Sequence, residues 1–439
     1  MNNPMTVAVY GATGHTGSFV VAELIRRGFG VVRIGRDASR LMQSSVRDST
    51  SFRVAAIDNA EQLDAALRGT DAVINCAGPF LDTALPVVDA ALRAGIPYLD
   101  VTAEQAALQA LIEQRDTQAR AAGVTLIPAA AFSGGLADLL VTATADENKR
   151  LDRVDIAIGL DSWHPTPGTR LTGARNRATR LIQGQGTLVP VPHPVPEGEW
   201  SFPSPFGNMD VTMLPFTEVL TVSRHLDVDT VESWLAVSAL RDIRDPNTPA
   251  PRAHDEQGRS AQQFVVDIVI AQGGAARRVT AMGRDIYAVS APIVVEATER
   301  LLSGKGVLRG GVASLGELFD ARDFRHSDGV LRRGVEPDIR EERWCARKAV
   351  TGATFAIASL CKNLDSCCRG RTPQAPRKLG GRRMPGFLVI HYPRVELPHE
   401  RTAQEEPDLW HRRVYRDRSP GGDWDAVVQR DQWKARIRA

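Results

Sequence analysis

Residues 5–17 read MTVAVYGATGHTG, an apolar run that leads directly into a turn with glycine at every third position. The apolar run predicts a β-strand, and the amphipathic pattern that follows predicts a helix. Gly11 permits the tight turn, Gly14 lets backbone approach a pyrophosphate, and Gly17 lets the helix pack closely on the strand. The N-terminus of the helix offers N–H groups and a positive dipole end to phosphates. This order predicts a dinucleotide-binding unit, with a turn that binds no ligand as the alternative.

The first 150 residues repeat this alternation of strand and helix. Residues 71–77 form a nearly continuous apolar run, as expected for a strand buried on both faces of a parallel sheet. We therefore predict an α/β fold, with a Rossmann-like doubly wound parallel sheet over residues 1–150. Ligands of such sheets bind at the carboxyl ends of the strands, where the sequence places Gly11, Arg36, Asp58, residues 77–79 and Asp100.

Residues 151–283 mix strand and helix patterns, and glycines at 273–274 between two alternating runs predict a hairpin. We expect a second, α+β domain that binds the substrate, with an antiparallel sheet. Its other expected features are a helix over residues 229–239 and a long loop over residues 190–215. Residues 284–324 are expected to return to the Rossmann domain as helices.

Residues 325–439 differ in charge and pattern. Of the 54 Lys and Arg and the 52 Asp and Glu, 24 and 15 lie here, leaving 30 and 37 for residues 1–324. Periodicity largely vanishes, and Arg-rich stretches alternate with Pro and Gly. We expect a disordered, low-order basic extension, apart from a short helix over residues 353–360 and a strand over residues 387–390.

The end of the second strand indicates which nicotinamide cofactor is bound. An NAD site usually places Asp or Glu there for the ribose 2′-hydroxyl, whereas an NADP site places Arg for the 2′-phosphate. Arg36 stands at that position, with Arg40 one helical turn further on. A planar guanidinium donates bidentately to phosphate, so we predict NADP. Asp37 would favour NAD if the turn shifted by one residue.

The sequence contains no triad motif and no metal-ligand spacing. The histidines are scattered, and Cys361, Cys367 and Cys368 lack a matching second pair, so we predict no metal and assign no catalytic residue. Candidate substrate contacts are the arginines of residues 166–186, which either bind a carboxylate or form a solvated basic face. These are Arg170, Arg175, Arg177 and Arg180, and a helix would bring Arg170, Arg177 and Arg180 onto one side.

No apolar run approaches the roughly 20 residues of a membrane helix, and the N-terminus lacks a signal-peptide pattern. We therefore expect a cytoplasmic protein without a membrane partner. The basic C-terminal residues contain no recognisable nucleic-acid motif, so no nucleic-acid partner is expected.

Four motifs occur in order, namely YGATGHTG at 10–17, GRD at 35–37, NCAGPF at 75–80 and YLDVTAE at 98–104. This set resembles the saccharopine dehydrogenase (reductase) NADP-binding superfamily, most closely its bacterial, largely uncharacterised branch with trans-acting enoyl reductases. The resemblance continues through GRDIY at 283–287 and covers about residues 5–324. Two departures from the pattern of the family, at Ala103 and within residues 131–138, leave the identity of the substrate open.

The resemblance implies a role for particular residues. The pyrophosphate would be bound by Gly11, Thr13, Gly14, His15, Thr16 and Gly17. Arg36 would hold the 2′-phosphate, and Asp58 would lie near the adenine. The nicotinamide ribose would be lined by Ala77, Gly78 and Pro79. Residues 100–104 would face the cleft beside the nicotinamide.

The resemblance also implies an activity. It is typical of an NADP-dependent oxidoreductase that transfers a hydride to or from a small imine, enone or carbonyl substrate. The alternative is a non-catalytic NADP-binding redox sensor of the NmrA-like type, because the same Gly-Ala-Thr-Gly turn occurs there. We expect a small-molecule substrate and leave open whether the chain forms a homodimer.

Overall fold

The computed structural model describes residues 4–43, 50–146, 148–307, 309–325, 332–333, 388–391 and 395–396 of the 439-residue chain. The predicted helix over residues 353–360 and most of the expected basic extension lie outside the described residues. Within the described part of the chain, none of the helices combines the length and apolarity needed to cross a membrane.

The first domain is a parallel sheet with helices on both faces. Its first six strands are β1 (Thr6–Tyr10), β2 (Gly30–Gly35), β3 (Thr50–Val54), β4 (Ala72–Asn75), β5 (Tyr98–Asp100) and β6 (Thr125–Ile127). They alternate with α1 (His15–Arg26), α2 (Ala38–Gln43), α3 (Ala60–Leu67), α4 (Phe80–Ala94) and α5 (Gln105–Ala122). The strand order is β6-β5-β4-β1-β2-β3, which reverses beside β1. This is the doubly wound order whose ligands bind at the point of reversal, and it confirms the predicted Rossmann-like sheet.

The core explains why these residues form these elements. β1 and β4 have no exposed apolar side chain because helices cover both faces of the sheet. α4 and α5 end at Gly95 and Gly123, which adopt the left-handed conformation that closes a helix.

Beyond β6, a π-helical turn (Phe132–Leu136) runs into α6 (Ala137–Thr144), which leads to the second sheet. The strands of that sheet are β7 (Leu151–Leu160), β8 (Leu181–Gly184), β9 (Thr187–Pro190), β10 (Glu197–Ser201), β11 (Asn208–Met213), β12 (Val228–Ala236), β13 (Gln263–Gln272) and β14 (Ala275–Arg284). Its helices are α7 (Pro167–Arg175), α8 (Glu218–His225) and α9 (Val237–Arg244).

The prediction of a helix over residues 229–239 was wrong. Most of this segment is β12, which pairs with β7 in parallel register, so the second sheet is mixed rather than antiparallel. Val231, Trp234 and Leu235 have the spacing of a helix face. The strand nevertheless fits because it lies between β11 and β7, and its last residues are buried on both faces.

Two other predictions for the second domain were also wrong. Residues 190–215 contain the antiparallel pair β10–β11 instead of one long loop, and the rings of Trp200 and Phe202 lie 6.2 Å apart at the end of β10. The four candidate arginines do not share a helix, because α7 ends at Arg175. The predicted hairpin is confirmed, with Gly273 and Gly274 between β13 and β14.

The chain then returns to the first domain through α10 (Ser290–Leu302), which packs on α1. β15 (Gly311–Val312) adds a seventh parallel strand beside β6, and α11 (Leu315–Leu318) and α12 (Ala321–Arg325) follow. The described residues beyond form β16 (Arg332–Arg333), β17 (Leu388–His391) and β18 (Val395–Glu396). β17 pairs with β14 and overlaps the strand predicted over residues 387–390.

A buried ion-pair network joins α1 to α10. The Arg27 guanidinium contacts Glu296, Glu299 at 2.7 Å and Glu23 at 2.8 Å. Its side chain is 8% exposed, whereas that of the adjacent Arg26, which also pairs with Glu23, is 55% exposed.

We expect Arg27→Met to lower the free energy of unfolding by about 2 kcal/mol, because it removes a buried guanidinium that pairs with three carboxylates, although Arg300 still pairs with Glu296. Arg26→Met is the matched control and should lower it by less than about 1 kcal/mol, since exposed pairs contribute little. Denaturant titration of both variants checks this. Equal losses of unfolding free energy in the two variants would mean that the burial of Arg27 does not determine its contribution to stability.

Candidate cofactor and substrate site

The glycine turn between β1 and α1 is too tight for side chains. Gly11 has φ of +79°, and a Cβ added there would lie 2.9 Å from the Cβ of Ala77. A Cβ on Gly17 would collide with the Gly11 carbonyl oxygen. Gly14 precedes α1 and offers no side-chain cap, and the first turn of α1 contains no acidic residue. The first N–H groups of α1, at His15, Thr16 and Gly17, therefore suit an anionic ligand.

Arg36 lies at the carboxyl end of β2 and is exposed. Within the described part of the chain, no ion pair engages its guanidinium. The neighbouring Asp37 carboxylate accepts from the Ser39 and Arg40 backbone N–H groups, at 2.9 and 3.2 Å, and so caps α2. Because Asp37 is engaged in this cap, the geometry favours Arg36, and hence NADP, at the position that selects the cofactor.

Two other groups lie around the same end of the sheet. Arg40 donates to the Thr13 carbonyl at 3.4 Å, which brings a second guanidinium to the glycine turn. Asp58 is exposed in the turn after β3. Burial raises the pKa of Tyr10, the positive charge of Arg36 opposes this, and the negative charge of Asp58 adds to it. Arg36 and Asp58 are therefore both close enough to Tyr10 to affect its pKa.

The turn Ala77-Gly78-Pro79 is held by polar contacts to β4 and α4. Ala77 N–H donates to the Asn75 side chain at 3.0 Å, and Thr83 Oγ1 donates to the Ala77 carbonyl at 2.5 Å. The turn is thus fixed directly beside Gly11, so the residues predicted to bind the pyrophosphate and those predicted to bind the nicotinamide ribose lie side by side.

Asp100 is fully buried and organises the carboxyl edge of the sheet. Its carboxylate accepts from Tyr98 Oη at 2.8 Å, from Thr102 N–H at 3.0 Å and from Ala129 N–H at 2.7 Å. Asn75 Nδ2 donates to Tyr98 Oη at 3.2 Å and extends the network to β4. The side chain of Asp100 therefore braces backbone and does not line the expected cleft.

Glu104 links the two domains at this edge. Its carboxylate accepts from the first N–H groups of α4, on Phe80 at 2.8 Å and Leu81 at 3.2 Å, and from Thr172 Oγ1 of α7 at 3.2 Å. A carboxylate in this place complements the positive end of the α4 dipole. The same contact holds α7 beside Gly78. A Cβ added to Gly78 would lie 3.2 Å from Thr172 Oγ1.

One feature of the edge was missed by sequence reasoning. Ala129, just beyond β6, has φ of +56°, a conformation that costs about 1 kcal/mol or more for a residue with a side chain. The π-helical turn follows it, and a Cβ on Gly134 would lie 2.7 Å from that of Ala129. In the sequence, the pair Gly134-Gly135 was the signal that could have predicted this turn, because only glycine permits such a close approach to Ala129.

A row of aromatic side chains leads from the glycine turn into the second domain. The His15 ring packs edge-on against Tyr287 at 5.3 Å. Trp163 Nε1 donates to Tyr287 Oη at 3.0 Å, and the Trp163 ring lies 6.3 Å from that of Phe216. The Arg180 guanidinium stands 5.1 Å over Phe216. The row forms a mostly apolar wall beside the carboxyl edge.

His15 Nε2 is buried and has no hydrogen-bond partner in the part of the chain that the structure describes. Burial lowers the pKa of this imidazole, and the negative charge of Asp285 only partly opposes the shift. The ring is therefore neutral at physiological pH, with a ring nitrogen available beside the phosphate end of the site.

The four candidate arginines have separate surroundings. Arg170 donates to the carbonyls of Asp245 and Thr248, and Arg175 pairs with Asp82. Arg175 and Arg177 are exposed, whereas Arg170 and Arg180 are partly buried. Among the described residues, no group of three His, Cys, Asp or Glu side chains is placed to hold a metal ion.

Comparison with known proteins identifies the first domain. Residues 7–127 match the family model of the saccharopine dehydrogenase NADP binding domain. This match confirms the predicted NADP cofactor and the resemblance of the first domain to that family.

Curated relatives include a saccharopine dehydrogenase-like oxidoreductase from Bos taurus, 25% identical over 36% of this chain and 42% of its own length. A lipid droplet localized protein from Caenorhabditis elegans is 30% identical over 30% of this chain and 34% of its own length. The matches thus span well under half of these relatives. The cytoplasmic location stays a prediction.

Apo saccharopine dehydrogenase (L-Glu forming) from Saccharomyces cerevisiae has a similar structure, with a TM-score of 0.52 and 14% identity. The likeness covers 73% of this chain and 96% of that one. It confirms the fold class, a Rossmann-like sheet with a second sheet domain.

Burial raises the pKa of the Asp100 carboxyl from 3.8 to about 6, although its N–H donors oppose the shift. Between these values the folded chain holds a proton that the unfolded chain has lost, so this group lowers stability as the pH rises from about 4 to 6. Asp100→Asn keeps an oxygen for the two N–H groups and carries no charge. We expect it to flatten that part of the pH profile of the denaturation midpoint.

The control is Asp64→Asn, at an exposed ion pair with Arg93, which should change the profile little. If the denaturation midpoint of Asp100→Asn fell with pH as steeply as that of the wild type, Asp100 would not be the group responsible for this fall.

Proposed function

We propose that this chain is an NADP-dependent oxidoreductase of the saccharopine dehydrogenase-like type, transferring a hydride to or from a small imine, enone or carbonyl substrate. The observation that carries the proposal is the glycine turn that opens onto the N-terminus of α1, with Arg36 at the end of the adjacent strand. Together they match the two anionic groups of NADP, the pyrophosphate and the 2′-phosphate.

The proposed cofactor contacts follow from these positions. Free N–H groups of the glycine turn and of the first turn of α1 would bind the pyrophosphate, and His15 would place a neutral imidazole beside it. Arg36 would pair with the 2′-phosphate, Arg40 would add positive charge, and Asp58 would border the adenine. The nicotinamide ribose would rest on Ala77, Gly78 and Pro79. Bound NADP would supply or accept the hydride.

The substrate would then lie between the carboxyl edge and the aromatic row. Tyr287, Trp163 and Phe216 form a wall with few polar atoms, which limits water near the transferred hydride. An enone substrate would agree with the resemblance to the trans-acting enoyl reductase-like branch of the superfamily. A substrate containing C=N, C=C or C=O fits a site in which hydride transfer depends on binding and orientation of the cofactor and substrate.

Turnover tests the activity. Purified full-length chain is mixed with NADPH and a panel of cyclic imines, enones and aldehydes, and loss of NADPH absorbance is followed. Oxidation dependent on one substrate class supports the proposal. Tight NADPH binding with no turnover across the panel would instead support the redox sensor of the NmrA-like type.

Arg36→Ala tests the cofactor assignment separately. We expect NADPH affinity to fall about 10- to 100-fold and NADH affinity to stay unchanged, because only the 2′-phosphate loses a charged hydrogen bond. Fluorescence titration with both nucleotides measures this ratio.

The control is Arg68→Ala, an exposed arginine that lies before β4, at the amino end of the parallel sheet and opposite the glycine turn. It should leave both affinities unchanged. An unaltered preference for NADPH in Arg36→Ala would remove Arg36 from the site.

A further inference from the structure

The second domain contains a cavity of about 340 Å³. It lies between α9, β11 and the segments that flank β8 and β9, and its lining includes Arg180, His193, Thr212, Met213, Leu240 and Arg244. This volume is in the range of small-ligand sites, and the lining includes none of the residues assigned to NADP.

The lining has two kinds of surface. Val191, Met213, Leu214 and Leu240 are apolar. Arg180 and Arg244 bring two permanent positive charges, His193 a titratable one, and Glu197 a single negative charge. A ligand that matches this surface has one anionic group and an apolar body.

Arg180 is the best-placed group for the anion. Its guanidinium packs on Phe216 at 5.1 Å and donates to the Pro215 carbonyl at 2.6 Å, so its position is fixed. Within the described part of the chain, no carboxylate forms a salt bridge with it. A partly buried cation without a salt-bridge partner is costly, and an anionic ligand would offset that cost.

Glu218 attracts Arg180 electrostatically but forms no salt bridge with it among the described residues. Its carboxyl accepts from Ser233 Oγ at 2.5 Å and from Phe216 N–H at 2.9 Å. Burial raises the pKa of Glu218 to about 7, so much of it is uncharged near neutral pH. Arg180 therefore lines the cavity with a positive charge that Glu218 offsets only in part.

We propose that this cavity binds a small monocarboxylate with an apolar chain, whose carboxylate pairs with Arg180 and whose chain packs among Val191, Met213, Leu214 and Leu240. A monoanion is favoured over a phosphate because Glu197 also lines the cavity and opposes a second negative charge. The inference concerns binding and holds whether or not the chain is an oxidoreductase.

Calorimetric titration of the full chain with octanoate tests the proposal, with octanol as the uncharged probe of equal chain length. We expect saturable octanoate binding and at least about tenfold weaker binding of octanol, because the Arg180 charge contributes only to the acid. Arg180→Met should weaken octanoate binding about tenfold or more and bring it to the level of octanol.

Two further variants guard against a folding defect. Arg180→Lys keeps the charge and should retain part of the octanoate affinity, and Arg244→Met, at an exposed rim position, should weaken it less than Arg180→Met. Arg177→Met is the matched control, since this arginine is exposed and does not line the cavity. Absence of saturable binding, equal binding of octanol, or undiminished binding by folded Arg180→Met would each overturn the proposal.

Discussion

The close approach between Gly11 and Ala77 is the constraint on which the site depends. No side chain fits at Gly11, and α1 reaches the turn only because Gly17 also lacks a Cβ. As a result, the N-terminus of α1 stands against the end of β4, and the turn that follows β4 is placed beside it. The residues proposed to bind the pyrophosphate and those proposed to bind the nicotinamide ribose are thereby held at a fixed separation by backbone contacts.

Buried polar groups hold the rest of the carboxyl edge in place. Asp100 fixes the backbone after β5 and β6 together, while Glu104 caps α4 and holds α7. Each carboxylate accepts hydrogen bonds from backbone N–H groups that would otherwise have no partner in these irregular segments. Irregular segments at the edge are therefore as well determined as the strands, and the second domain is joined to the first through the same groups.

Much of the first domain could be predicted because each signal there is local. Glycines at 11, 14 and 17 fix the turn, Gly95 and Gly123 end their helices, and the apolar run at 71–77 belongs to a covered strand. The second domain was harder, because Val231, Trp234 and Leu235 match a helix face equally well and only pairing with β7 decides for a strand. Arg180 could not be separated from Arg170 and Arg175 in the sequence, since their difference lies in distant partners: Phe216, Asp245 and Asp82.

The seventh strand has a consequence for how the protein is made. β15 completes the first sheet beside β6, and α10 covers one side of α1, yet both follow the second domain in the chain. During synthesis, the nascent first domain thus leaves the ribosome with one sheet edge open and Arg27 without Glu296. The Rossmann domain can therefore reach its final form only after the residues of the second domain have been synthesised.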